Sequence, residues 1–474
     1  MPLHLRWCFV VVLLTSTSAA AKPTAPDIAC SHLSDSPLCR GQTLSCRTCH
    51  AGPPTFNAFG LDVAIALADV DGGFADALPL ALDAVGGDDS DGDGISNTEE
   101  LALGTMPGDA FSFAPNGGVE VDFVDENGNP FFTLNTWDAA VAFRRVTVTY
   151  CGRSPSYDEM RALSALDDGA ARQAVHDHLD ECLASDFWLQ QGLPRLADPR
   201  VKPEAAIGKD SENPLGDYEW DYRLFVHVLS DGRDARDLLL ADYHVDENGD
   251  VVDGIVPRPE PVYEPATGKL WSGGGQPVPP EHRAGMLTTQ WFLGNNTMFS
   301  ELPRTTAAQA YRAYLGEDIA LGEGIHPVVG EPRDVDHKGV DAPACAACHS
   351  TLDPLSYAFS AYNGFDVLTE ERFEETFYED LIGAYDPSRT TYQGDGVFDG
   401  VAVPTLRDWA QQAVASDAFA RNLGEMFFTH IFDDDVAPSE FADFDAAVRR
   451  LRDSDFSANA LVHDLVDTPA FGRP

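Results

Sequence analysis

Two stretches of this chain, CRTCH at residues 46 to 50 and CAACH at 345 to 349, carry the same pentapeptide pattern far apart in sequence. C-x-x-C-H is the attachment signature of c-type haem. On a helical turn, residues three and four apart share a face, so both sulfurs can form thioethers with the haem vinyls while the adjacent imidazole meets the iron. Zinc is the competing use of paired C-x-x-C motifs. The two pairs here are separated by far more than a zinc ribbon allows, and each is followed at once by His. Cys46, Cys49 and His50, with Cys345, Cys348 and His349, are therefore the expected binding residues for two covalently attached haem c groups. A chain with two such groups must fold around them as well as around its own apolar residues.

The sixth ligand decides whether a haem only passes electrons or also binds a substrate. Met106, in GTMPGD, is the nearest downstream methionine to CRTCH, and its Met-Pro dipeptide is like the distal loop of small cytochromes. GT-x-P also follows acidic calcium loops with any residue at x, so the choice between Met106 and His32 stays open. For CAACH the candidates are Met286, Met298, Met426 and His430, each as well explained as a core residue, and an open site is the other outcome.

A second metal signal lies at 89 to 100, DSDGDGISNTEE. With Asp89 at position 1, Asp91 and Asp93 fall at 3 and 5, Gly94 at 6, the Ile95 carbonyl at 7, Asn97 at 9 and Glu100 at 12. Hard oxygens around a glycine turn are the calcium-loop pattern, so these residues are the expected Ca2+ ligands. DENGNP at 125 to 130 and DENGDVVDG at 246 to 254 lack that register and read as turns.

The chain has 474 residues, enough for two to four domains, and its formal charge of −46 disfavours nucleic acid and anionic membrane as partners. Residues 1 to 21 read as a secretory signal: Arg6, the apolar run from Trp7 to Leu14, then Ala19-Ala20-Ala21. No later stretch is apolar enough to cross a bilayer, so a periplasmic or extracellular protein is expected. Cys8 leaves with the signal. Outside the pentapeptides remain Cys30, Cys39, Cys151 and Cys182, an even number in an oxidising compartment. The pairing of shortest loops joins Cys30 to Cys39 and Cys151 to Cys182, although spacing alone does not fix connectivity.

Apolar periodicity predicts helices at Phe59 to Leu67 and Phe74 to Val85, then from Trp137 through Arg145 with a cap at Asn135 or Thr136. Ser156 with Glu159 forms a capping box. Further helices are expected at Gly169 to Leu183, Tyr218 to Leu229, Arg283 to Phe292, Thr305 to Leu315, Leu406 to Ala415, Asp417 to Ile431, Glu440 to Leu451 and Ala458 to Leu465. Residues 111 to 134 alternate as a hairpin and 244 to 281 read as a long loop. His176 and His178, two apart in HDHLD, read as solvated. Asp353-Pro354 is expected to supply a carbonyl that orients His349, as Pro53 or Pro54 would for His50.

CAACHSTLDPLSYAFSAYNGFD resembles the second haem module of the planctomycete-type multidomain exported cytochromes c. AFRRVTVTYCGRSPSYDEMRAL with ECLASDFW resembles that family's helical inter-haem module, and SDFSANALVHDLVDTPAF its C-terminal helical module. RAGMLTTQWFL with RTTAAQAYRAYLG fits the pattern before the second haem. CRTCHAGPPTFNAFG with the acidic loop is similar to small cytochrome c modules of other exported bacterial proteins. Cys151 and Cys182 depart from the family pattern. The resemblance implies electron transfer on an all-helical scaffold and no defined substrate.

The expected fold is mainly α, a multidomain c-type cytochrome with a short β-hairpin linker. Its expected parts are a signal peptide (1-21), a small haem module with the calcium loop (22-110), a linker (111-135), a helical module (136-281), the CAACH module (282-400) and a C-terminal helical module (401-474). The expected function is an exported dihaem carrier of single electrons between a redox protein partner, quinol or other donor and an acceptor. The alternative is a haem oxidoreductase, peroxidase- or oxygenase-like, with an open site at the second haem.

Overall fold

The computed structural model describes residues 24–39, 44, 48–52, 55–68, 70, 72–92, 94–108, 137–209, 216–257, 262–264, 269–271, 275–296, 302–319, 328–335, 337–364, 385–386, 394–432, 436 and 440–472. The signal segment, the hairpin expected at 111 to 134, and Cys46, Asp93 and Met298 lie outside them.

The described fold is mainly helical, with four two-stranded antiparallel pairs. Two hydrophobic cores divide it. A small one gathers residues from Ala29 to Leu101, and a large one gathers residues from Ala142 to Phe471, with Val436 packed against both. The large core draws on all three parts expected between 136 and 474, which therefore share one interior.

The helices follow the apolar periodicity closely. Phe74–Val85 and Leu406–Ala415 coincide with the expected spans, and Tyr157–Leu163 starts at the Ser156/Glu159 capping box. Helix Ala139–Cys151 differs at both ends. Its cap is Asp138, which accepts from Val141 N at 2.9 Å, and it runs on until Gly152 adopts φ +67°. Arg144 and Arg145 do not end it, because the Arg145 guanidinium donates to the Ala470 and Phe471 carbonyls at 2.8 and 2.7 Å. Trp137 Nε1 donates to Val466 O at 2.8 Å, so the first helix after the linker is bound to the last turns of the chain.

The segment 244 to 281, expected as a loop, holds the pairs His244–Val245 with Val251–Val252 and Val262–Glu264 with Lys269–Trp271. DENGD forms the first turn, where Asp246 accepts from Asn248 N and Asp250 N. Arg283 to Phe292 begins as a 3-10 turn, Gly285–Thr288, before helix Gln290–Asn296. Gly285 there has φ +49°, and a Cβ would stand 2.2 Å from Leu238 O, so the chain passes too close for a regular helix to start earlier.

The solvated reading of His176 and His178 is corrected. His178 is buried, stacks on Phe143 at 4.5 Å and lies 3.1 Å from Thr147 Oγ1. His176 Nδ1 lies 2.7 Å from His463 Nδ1, and its Nε2 lies 3.0 Å from Asp467. Helix Asp168–Leu183 buries more of its circumference than its polar sequence implies, because helix Ala458–Val466 covers a second side.

His244 is 1% exposed with neither ring nitrogen hydrogen-bonded, and burial, then the Arg283 charge, pushes its pKa from 6.5 to about 3. The folded state thus binds fewer protons than the unfolded state between pH 6.5 and about 3. Stability contributed by this site is full above pH 6.5 and falls as pH drops, by ~1.4 kcal/mol per unit at most. His244→Leu is expected to flatten the loss of denaturant midpoint between pH 7 and pH 5. An unchanged slope would assign the acid sensitivity to other groups.

Candidate functional site

CAACH lies on helix Pro343–Ser356, with Pro343 at the first turn, where a missing N–H costs nothing. Ser350, Asp353 and Ser356 occupy its buried side. Cys345 is exposed and Cys348 and His349 are half-buried, so both sulfurs and the imidazole share the outer side at the i, i+3, i+4 spacing. Among the described residues the bridges are Cys30–Cys39 and Cys151–Cys182, with Cα–Cα distances of 5.2 and 4.7 Å, and Cys49, Cys345 and Cys348 are in neither.

His349 Nδ1 lies 2.9 Å from Asp353 Oδ1. The oxygen that orients the ring is thus the Asp353 side chain, in place of the expected carbonyl, because a helix brings i and i+4 side chains together and commits its carbonyls to its own backbone. Asp353 is fully buried and gripped by Arg304, Nε to Oδ1 at 2.6 Å and Nη2 to Oδ2 at 2.8 Å. The donor set fits c-type haem: two thiols and one imidazole on one helix face, with Nδ1 engaged and Nε2 left for a metal.

CRTCH has a different backbone. Thr48 lies in a 3-10 turn, Cys49 in a turn, and His50 opens the strand His50–Gly52, paired with Thr55–Phe56. A helical turn does not continue past His50 because Gly52, Pro53 and Pro54 follow. The His50 ring stacks on Phe56 at 4.7 Å, and its Nδ1 is buried without a hydrogen bond. An orphaned buried imidazole nitrogen beside a half-buried Cys49 is compatible with a site built for a further group.

Helix Ala58–Ala68 braces this turn. Asn57 N donates to Cys49 O at 3.1 Å, and Asn57 Nδ2 donates to Thr48 O at 3.0 Å. A Cβ at Gly60 would stand 1.8 Å from Cys49 O. Gly60→Ala is therefore expected to cost the N-terminal unit about 1–3 kcal/mol by overpacking and to displace Cys49. Circular dichroism melting of the variant would show it, and an unchanged melt would mean the backbone yields without cost.

Met106 is brought to this site: Thr48 Oγ1 donates to its Sδ at 3.5 Å, and Thr48 is fully buried. His32 is turned away, its Nε2 2.7 Å from Asp83 Oδ1. Of the candidates for the second site, Met286 and Met426 are buried in the large core. His430 lies beside Trp188, centroids 5.6 Å apart, with burial and the Arg195 charge lowering its pKa.

In the acidic loop Asp89 accepts from Gly92 N at 2.8 Å and Gly94 N at 2.9 Å. Both glycines have positive φ, +81° and +96°, as the sharp turn requires. Ser96 caps helix Asn97–Leu103 in a box with Glu99, which commits the Glu99 carboxylate to the cap. Glu100 is the acid that turns inward, fully buried, a place carboxylates occupy when paired or bound to a cation. Asn97 is also fully buried, but its Oδ1 accepts from Ser90 N at 3.2 Å and its Nδ2 donates to Val85 O at 2.7 Å. Its amide is a strut of the loop, and position 9 commonly reaches a cation only through water. Asp89, Asp91, the Ile95 carbonyl and Glu100 offer oxygens of the type Ca2+ takes, although among the described residues no three acidic side chains of this loop lie within 4.8 Å of one another.

Sequence reasoning did not find Arg304. The His349 to Asp353 spacing carried half of that signal; the Arg304 partner, from another helix, had none.

Residues 89–107 match the bacterial TSP3 repeat, a calcium-binding repeat type, and the match includes Met106 and Pro107. No curated protein and no solved structure matches the chain. The two disulfides and the bacterial repeat suggest an exported protein, and no described helix is long and apolar enough to cross a membrane.

Proposed function

We propose that the chain is an exported dihaem c-type cytochrome, similar to the planctomycete-type multidomain cytochromes c, that passes single electrons between redox partners. The observation that carries this reading is the CAACH helix, with Cys345, Cys348 and His349 on one outer face and the His349 ring already held by Asp353. Haem bound there supplies an iron that cycles between its ferric and ferrous states. The chain's own residues anchor it through Cys345 and Cys348, orient the ring of His349 and cover the helix's other side. Cys46, Cys49 and His50 would hold the first group, with Met106, which Thr48 meets, as a further ligand. The formal charge of −46 favours a redox partner with a basic docking patch.

Absorption and EPR spectra of the holoprotein test the reading. Two covalent haems per chain, both low-spin and inert to carbon monoxide, are expected. A high-spin signal from one haem would replace the carrier with the oxidoreductase alternative, and absence of covalent haem would remove both.

A further inference from the structure

We propose that Asp353, clamped by Arg304, is the positioning residue that sets the reduction potential at His349, an inference that rests on CAACH being a haem site. An ordinary i, i+4 pair on a helix surface would be solvated and weak. This one is not on the surface: Asp353 is 0% exposed, and the Arg304 side chain that grips both its oxygens is 17% exposed. A carboxylate held by a guanidinium only accepts hydrogen bonds. Its contact with His349 therefore assigns the proton to Nδ1 and leaves the Nε2 lone pair for the metal. Arg304 opens helix Arg304–Leu315, which packs against the CAACH helix, so the ring is oriented from a second element rather than by its own turn alone.

The charge matters as much as the orientation. A desolvated anion on the far side of an imidazole makes the ring a stronger donor and stabilises the more positive iron state. Arg304 draws off part of that charge. The two residues are therefore opposed controls on one ligand, and a purely structural clamp would not behave so.

The test is potentiometric titration of the holoprotein, with the second haem's wave identified by its loss in the Cys345→Ala/Cys348→Ala chain. Asp353→Asn is expected to raise that wave by about tenfold in the ferrous-to-ferric ratio, ~59 mV for a one-electron couple, and to leave the first haem's wave in place. Arg304→Gln is expected to lower it, and Asp353→Glu, which restores a carboxylate, to bring it back toward the wild-type value. Shifts of the same sign in Asp353→Asn and Arg304→Gln, or no shift in chains carrying two haems, would overturn the proposal. Should Asp353→Asn not mature, Arg304→Gln takes its place; a downward shift is required there, and the wild-type potential would overturn the proposal. Haem content of the wild type, counted as its pyridine complex, separates the two levels: one covalent haem at Cys46 and Cys49 alone would fail the site reading itself.

Discussion

Cys345→Ala with Cys348→Ala is expected to halve the covalently bound haem and to leave the fold of the N-terminal unit intact. Each thioether needs a cysteine sulfur, the double substitution removes both, and Cys30, Cys39, Cys151 and Cys182 cannot substitute because they are joined in two disulfides. Both substituted side chains lie on the outer, exposed to half-buried, side of helix Pro343–Ser356, and alanine is the best helix former, so the apo helix should not suffer. Haem counted after acid-acetone extraction, which removes only non-covalent haem, gives the result directly. A chain that keeps its full covalent content would show that CAACH was misassigned, and a chain that loses all of it would show that the two sites mature together.

Calcium removal should have the second large effect, confined to the N-terminal unit. The small core from Ala29 to Leu101 has little apolar material, so a cation bound at the acidic loop would carry a large share of that unit's stability. At a free concentration a hundred times its dissociation constant, a cation stabilises by about 2.7 kcal/mol. For a unit of this size that corresponds to about 10–20 °C in its thermal midpoint. The consequence reaches CRTCH along a short path. Gly104 ends helix Asn97–Leu103 at φ +84°, Glu100 O accepts from Thr105 N at 2.9 Å, and Met106 follows Thr105 and meets Thr48. Ser36 Oγ, inside the Cys30–Cys39 loop, donates to Leu101 O at 2.5 Å and steadies the other side. A chelator should therefore lower the first melting transition and displace Met106 from CRTCH, while the transition of the large body stays in place. Asp89→Asn should abolish the response. If the chelator changes neither transition, the loop is a structural turn without a cation.

The acidic loop and the tail that follows it connect two readings that compete at the level of sequence. GT-x-P reads either as the end of a calcium repeat or as the approach of an axial ligand. Residues 89–107 match the bacterial TSP3 repeat, and the same residues deliver Met106 Sδ to within 3.5 Å of Thr48 Oγ1. The two readings are compatible because Met106 lies within the matched residues and meets Thr48.

Most helices were legible because each buries one stripe, and a stripe repeats at 3.6 residues in the sequence itself. The capping box at Ser156 and Glu159 is local chemistry for the same reason. Where helices departed from expectation, the cause came from elsewhere in the chain. Helix Ala139–Cys151 runs past Arg144 and Arg145 because Arg145 finds carbonyls at Ala470 and Phe471. His176 and His178 are not solvated because helix Ala458–Val466 and the Phe143 ring meet them.

The sequence by itself determined where the chemistry-bearing residues stand: two C-x-x-C-H stretches, an acidic loop that matches a calcium-binding repeat type, and the cysteines that remain for disulfides. Those follow from residue type and short spacing, which are local quantities. Tertiary structure alone decided that the parts from 136 to 474 share one core, that CRTCH leads into a strand while CAACH stays helical, and that Met106 meets Thr48 while His32 pairs with Asp83. It alone placed Arg304 behind Asp353. A buried ion pair is satisfied by whichever partner the packing of two helices brings within reach, and no spacing along one chain encodes that distance.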